Sequence, residues 1–218
     1  MTDQQADLEW RDGRTPVSVQ FDDPYFSLDD GLAETRHVFL DGNDLPARFE
    51  GDFHVGELGF GTGLNFLVTL AAWRAAGVTG KLHFTSFEAF PMPMADMMRA
   101  LQAFDGLPID AFEHGTFPNF SGPDFKLQVI IGDARKTLTQ WDGKADAWYL
   151  DGFSPAKNPE LWGDDLMDQI GKHTAKGGTC ATYTAAGFVR RALVDAGFEI
   201  ERTKGFGRKR HMSRGTMK

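Results

Sequence analysis

From Phe53 onward, short apolar runs alternate with segments whose apolar residues recur at helical spacing. The runs cover 53–58, 82–87, 127–131, 147–150 and 179–184, and the helical stretches cover about 63–76, 94–104, 134–140, 160–173 and 186–196. This β-α-β-α order predicts an α/β fold, a parallel sheet with helices on both faces and right-handed crossovers. After Gly197 the pattern changes to two strand-like runs, 198–204 and about 208–213, around Gly205-Phe206-Gly207. A terminal hairpin at the end of the sheet is expected. The first 50 residues stand outside the repeat. They hold an alternating run, Val17-Ser18-Val19-Gln20-Phe21, and a helical pattern through Leu32, Thr35, Arg36, Phe39 and Leu40. The expected organisation is an N-terminal extension, 1–50, packed on a core domain, 51–218.

Composition narrows the class. A chain of 218 residues with 41% apolar side chains is long enough for one substantial core and leaves little room for a second module. The single cysteine, Cys180, lies in an apolar run and excludes an intramolecular disulfide or a cysteine metal cluster. His37, His54, His83 and His114 show no metal-ligand spacing, so no metal is expected. The start of the chain, Met1-Thr2-Asp3-Gln4-Gln5-Ala6-Asp7, is polar and acidic, and no run of 18 apolar residues occurs. A cytoplasmic protein without a membrane partner is the expectation. The net charge of −8 hides an asymmetry: 202–218 carry seven Lys or Arg and no acid, leaving −15 on the rest. Such a basic end on an acidic body suits phosphate contacts.

Candidate chemistry gathers where the strands end. The first run leads through Glu57 into Gly59, Gly61 and Gly63, followed by Asn65 and an apolar helix. Glycines let the backbone turn sharply and approach a ligand, and the helix directs its first amides toward it. The spacing is G-x-G-x-G rather than the dinucleotide fingerprint G-x-G-x-x-G. In open α/β sheets ligands lie beyond the carboxyl ends of the strands. There the second run ends at Glu88, placed to accept hydrogen bonds from both hydroxyls of a ribose, and the third ends at Asp133, placed to read an adenine amino group. The fourth ends at Asp151, followed by Gly152-Phe153-Ser154-Pro155-Ala156-Lys157. A NAD-dependent oxidoreductase would account for the glycine loop and Glu88, but not for Asp133 or the turn after Asp151. A class I S-adenosylmethionine-dependent methyltransferase accounts for all the strand ends.

The chain further resembles one methyltransferase family, the methyltransferase half of the bacterial bifunctional tRNA enzyme MnmC. That enzyme finishes 5-methylaminomethyl-2-thiouridine at the wobble position. The resemblance rests on 20–27, 31–40, the glycine loop 57–66, Ser86-Phe87-Glu88, the run Asp151 to Trp162, 184–191, and Lys204-Gly205-Phe206-Gly207-Arg208-Lys209-Arg210. Of these, 151–162 and 204–210 discriminate, because many methyltransferases share the glycine loop. The resemblance implies a seven-stranded sheet in the order 3-2-1-4-5-7-6 with the last strand antiparallel. It implies methyl transfer from S-adenosylmethionine to the amine of 5-aminomethyl-(2-thio)uridine in the anticodon stem-loop of tRNA, releasing S-adenosylhomocysteine. Glu57, Gly59, Gly61, Gly63, Asn65, Glu88 and Asp133 would then hold the cofactor. Asp151 would take a proton or stabilise the forming ammonium, and Phe153 would stack on the uracil. Pro155, Lys157, Arg208, Lys209 and Arg210 would contact the RNA. The bifunctional enzyme also carries a flavin-dependent oxidase, of which this sequence shows no fingerprint, so a stand-alone methyltransferase without flavin is expected, working with a separate oxidase or with upstream modification enzymes. Other amine acceptors, protein or small molecule, and a non-catalytic module that only docks on tRNA remain alternatives.

Overall fold

The computed structural model describes residues 5–27 and 30–218; Met1 to Gln4 of the polar N-terminal stretch lie outside the described residues. Three short strands open the chain, β1 (Leu8–Arg11), β2 (Thr15–Ser18) and β3 (Asp23–Pro24), and form a small antiparallel sheet. The alternating run at 17–21 therefore leaves strand geometry after Ser18. Helix α1 (Gly31–Thr35) follows, capped by the Asp30 side chain, and continues as a wider turn over Arg36–Leu40, whose Arg36 carbonyl accepts from Asp41 N–H.

The main sheet is built from β4 (Phe53–Leu58), β5 (Leu82–Glu88), β6 (Gly115–Thr116), β7 (Asn119–Ser121), β8 (Phe125–Ile131), β9 (Ala145–Leu150), β10 (Thr174–Thr182), β11 (Phe198–Lys204) and β12 (His211–Met217). The helices between them are α2 (Leu64–Ala76), α3 (Met94–Leu101), α4 (Ala134–Thr137), α5 (Asp164–Lys172) and α6 (Gly187–Asp195). The strand order is β11-β12-β10-β9-β4-β5-β8-β7-β6. Strands β4, β5, β8, β9 and β10 run parallel, and β12 is antiparallel to both β10 and β11. Counting only the strands read from the sequence, this is the expected order 3-2-1-4-5-7-6. The sheet has nine strands rather than seven, because the hairpin β6–β7 adds to its edge beside β8. That hairpin has no periodic signature: only Phe120 of its residues is buried, and Pro118 interrupts it. Strand β10 also begins earlier than its apolar run, since its pairing with β9 shifts register between Thr174 and Thr179, across Gly177 and Gly178.

Each face of the sheet carries its own core. One holds Phe66, Leu67 and Trp73 of α2 with Phe39, Leu45 and Phe49 from the N-terminal elements; the other packs Leu166 and Ile170 of α5 and Leu193 of α6 against Trp148. Trp148 lies flat over Gly56 of the neighbouring strand, where an added Cβ would meet the indole at 2.7 Å. Both residues sit in the parallel centre of the sheet, so neither can move aside. Gly56→Ala should therefore destabilise the protein by about 1–3 kcal/mol through overpacking. A thermal melt would check this; an unchanged midpoint would mean that the indole has room to shift.

Candidate active site

The carboxyl ends of β4, β5, β8, β9 and β10 border a cavity of about 960 Å³, closed on its outer side by 20–27 and by Gly31, Glu34 and Thr35 of α1. Of the residues singled out from the sequence, Gly59, Gly61, Asn65, Glu88, Asp133, Asp151, Phe153, Lys157, Arg208 and Lys209 line it. Glu57, Gly63, Pro155 and Arg210 do not.

The glycine loop brings two strand ends almost into contact. Gly59 has φ +82°, and a Cβ there would sit 3.3 Å from Gly152 Cα, just beyond β9. A side chain would push the β4 and β9 loops apart, so this approach requires glycine. Gly61 N–H donates to Glu88 Oε2 at 3.0 Å, and Phe90 N–H donates to Oε1 at 2.8 Å. These bonds fix the Glu88 carboxyl at the cavity wall. Burial raises its pKa, and the backbone donors oppose that shift. Gly63 is the N-cap of α2, in left-handed geometry. A glycine loop at positive φ and a fixed carboxyl at the end of β5 suit a ribose-bearing cofactor. Asp133 has a local role as well: it caps α4 through Arg135 N–H at 3.0 Å and pairs with the Arg135 guanidinium at 2.7 Å. The pair holds its carboxyl below the usual carboxylate range.

Behind the cavity wall, Asn65 joins two acids. Its Nδ2 donates to Glu57 Oε1 at 2.9 Å and to Asp151 Oδ2 at 2.8 Å, and its Oδ1 accepts from Thr35 Oγ1 at 3.0 Å. Both amide hydrogens are thus committed to protein partners. Glu57 is completely buried, and burial drives its pKa well above the usual range, against the lowering effect of its hydrogen bonds to Ser86 and Asn65. Glu57, expected among the cofactor residues, lies outside the cavity lining and holds the Asn65 amide, which in turn holds Asp151. Asp151 also accepts from Gly152 N–H at 2.8 Å. Desolvation lifts its pKa to about 6, against the lowering effect of these two donors. A carboxylate held so close to neutrality can accept a proton near pH 7 and return it.

The N-terminal segment supplies further residues to the site. Phe21 stacks on Phe153 at 4.6 Å between centroids, and Tyr25 meets Phe153 edge-on at 5.1 Å. Asp23 accepts from Ser154 N–H at 2.9 Å. Lys157 is held by Asp22, through both its backbone carbonyl and its carboxylate, and lies 3.8 Å from Asp23. Its ammonium is therefore engaged with protein carboxylates, where an RNA phosphate contact was expected. Lys209 likewise turns into the cavity, onto Glu34 Oε1 at 2.7 Å, and lies over the Tyr183 ring at 4.4 Å. Glu34, Tyr183, Phe21 and Tyr25 join the site through contacts between distant parts of the chain. Phe21, Tyr25 and Glu34 fall in the stretches of family resemblance 20–27 and 31–40, and Tyr183 lies in the apolar run 179–184, but none of these signals points to the contacts they make.

The chain is similar to known proteins. Residues 113–218 match a family model described as S-adenosyl-L-methionine-dependent methyltransferase. The chain is 46% identical to the tRNA 5-methylaminomethyl-2-thiouridine biosynthesis bifunctional protein MnmC of Aeromonas hydrophila, over 96% of this chain and 35% of the relative. The MnmC protein of Vibrio cholerae is 45% identical, with 97% and 35% covered. The chain thus spans about a third of the length of the curated relatives it matches. Among solved structures, MnmC2 from Aquifex aeolicus superimposes with a TM-score of 0.78 at 27% identity, over 99% of this chain and 72% of that one. A precorrin-6y C5,15-methyltransferase from Geobacter metallireducens shares the fold, with a TM-score of 0.50 at 13% identity over 88% of this chain and 99% of that one.

Proposed function

This chain is a member of the S-adenosyl-L-methionine-dependent methyltransferases, related to MnmC, and from that premise we propose that it methylates the primary amine of 5-aminomethyl-(2-thio)uridine at the wobble position of tRNA. The observation that carries the reading is the convergence of a ribose-suited carboxyl, Glu88, and a proton-accepting carboxyl, Asp151, on one cavity of about 960 Å³. Among the described residues no helix is long and apolar enough to cross a membrane; as a tRNA-modifying enzyme the protein would work in the cytoplasm.

Gly59, Gly61, Glu88 and Asp133 would hold the cofactor. S-adenosylmethionine supplies a methyl group already activated on a sulfonium. The protein's task is then to orient the acceptor and manage one proton, and orientation alone can contribute about 7–11 kcal/mol in favourable systems. An amine attacks only through its free lone pair. Asp151 takes the proton that the acceptor ammonium must lose, and Asn65 and Gly152 N–H hold the carboxylate in place. Phe153, already packed between Phe21 and Tyr25, offers an aromatic surface for a base turned out of a single-stranded loop. Arg208, at the cavity rim, and Arg210, next along the turn, are suited to backbone phosphates.

Two measurements separate this reading from its rivals. Heat protection by S-adenosylhomocysteine but not by NAD excludes the oxidoreductase. Turnover that requires tRNA carrying the amine excludes protein or small-molecule acceptors, and binding of both ligands without any transfer would identify a docking module. The cofactor half has its own check. Glu88→Ala should weaken S-adenosylhomocysteine binding by roughly 10- to 100-fold, the worth of the lost charge-assisted hydrogen bonds. Unchanged affinity in calorimetry would remove Glu88 from the cofactor site.

A further inference from the structure

We propose that the Glu34 carboxylate and the Tyr183 ring form the subsite that receives the acceptor's aminomethyl group, with the Lys209 ammonium as its stand-in in the free enzyme. The proposal rests on the reading of the acceptor as an amine and adds the residues that select it. The contacts already describe how this site binds an alkylammonium. Lys209 Nζ lies 2.7 Å from Glu34 Oε1 and 4.4 Å from the centre of the Tyr183 ring. A carboxylate beside an aromatic face is a general solution for a primary ammonium.

The two partners are not equally fixed. The Glu34 side chain is 14% exposed and that of Lys209 is 48% exposed. Asp30 accepts from Ala33 N–H at 2.9 Å and so anchors the short helix that carries Glu34. Tyr183 is anchored through its hydroxyl, which donates to the Gly152 carbonyl at 2.8 Å, next to Asp151. The carboxylate and the ring are thus parts of the wall, whereas the lysine reaches them from the hairpin turn on a flexible stem. An arriving ammonium can replace it without moving the wall. Asp23, Glu34, Asp151 and Tyr183 all line the same cavity. Departure of Lys209 leaves a carboxylate-rich end that attracts a cation. Glu34 then accepts one N–H of the acceptor ammonium. Asp151 takes the proton whose departure frees the nitrogen lone pair, and that pair forms the new bond to the methyl carbon as the carbon–sulfur bond breaks and its electrons remain on sulfur.

The test compares tRNA carrying 5-aminomethyluridine with the same tRNA carrying unmodified wobble uridine, in equilibrium binding and in methyl transfer. The wild-type protein should bind the amine-bearing tRNA more tightly. Glu34→Gln should abolish that preference and raise the KM for amine-bearing tRNA about tenfold or more, the worth of a charge-assisted contact, with S-adenosylhomocysteine affinity and melting unchanged. Lys209→Met should keep the preference and lower the KM by about threefold, because only a half-exposed ion pair is removed. Preference retained in Glu34→Gln overturns the subsite. So does a Lys209→Met protein that binds both tRNAs more weakly with a flatter salt dependence, because Lys209 would then be a phosphate contact. A wild-type protein with no preference overturns the amine reading itself, a failure distinct from retained preference in the variant.

Discussion

Asp151→Ala should lower the single-turnover rate of methyl transfer by about 10²- to 10⁴-fold, the range for losing a positioned proton acceptor, while S-adenosylhomocysteine binds within a few-fold of wild type. The wild-type rate should rise with pH through about 6, where Asp151 loses its proton, and level off above it. The variant should lack that limb. Stability should move the other way. A carboxyl whose folded pKa is raised from 3.8 to about 6 costs nothing below pH 3.8; its cost grows as pH rises and is complete above about 6. Removing it relieves that cost but leaves Asn65 Nδ2–H and Gly152 N–H without their partner, so the melting-temperature gap between variant and wild type should narrow as pH rises from about 4 to about 8. Near-normal turnover would take Asp151 out of the mechanism, and a gap that does not narrow with pH would show that the carboxyl carries no desolvation cost.

Asn65→Leu should be the most damaging single change to the wall of the site. Leucine nearly conserves volume but leaves Glu57 Oε1, Asp151 Oδ2 and the Thr35 hydroxyl without the partner each has at 2.8–3.0 Å. Three such losses in a largely buried place, each worth about 1 kcal/mol or more, predict a destabilisation of about 3 kcal/mol. For a chain of this size that corresponds to roughly 6–12 °C in a thermal melt. The Asn65 bond also lowers the Asp151 pKa, so losing it should shift the pH–rate limb upward from about 6. A shift in the melt without a shift in the limb would confine Asn65 to stability. A shift in neither would mean that the bridge between the two acids carries no energy.

The parallel part of the sheet was legible because buried parallel strands are continuous apolar runs, and 53–58 and 82–87 fall within β4 and β5. Its consequence, the placing of Glu88, Asp133 and Asp151 along one edge, was legible for the same reason: a parallel sheet delivers every strand end to the same side. What each acid touches was not legible. Asp133 caps the helix after it, and Lys157 is held by Asp22, 135 residues away in sequence. Neither contact leaves a periodic trace. Glu57 reads as part of a cofactor loop, yet the strand alternation that buries it turns its carboxyl toward Asn65 and away from the cavity. The hairpin at β6–β7 was hidden for a different reason, since edge strands of two and three residues are shorter than any window in which alternation can be recognised.

The central claim is methylation of a wobble-uridine amine, and its most direct test is transfer of labelled methyl from S-adenosylmethionine to tRNA from cells that accumulate the 5-aminomethyl intermediate. Nucleoside mass analysis should find one added methyl on the wobble uridine and none elsewhere. Absence of transfer to that tRNA, from protein that binds S-adenosylhomocysteine, would contradict the account and send the search to another amine acceptor.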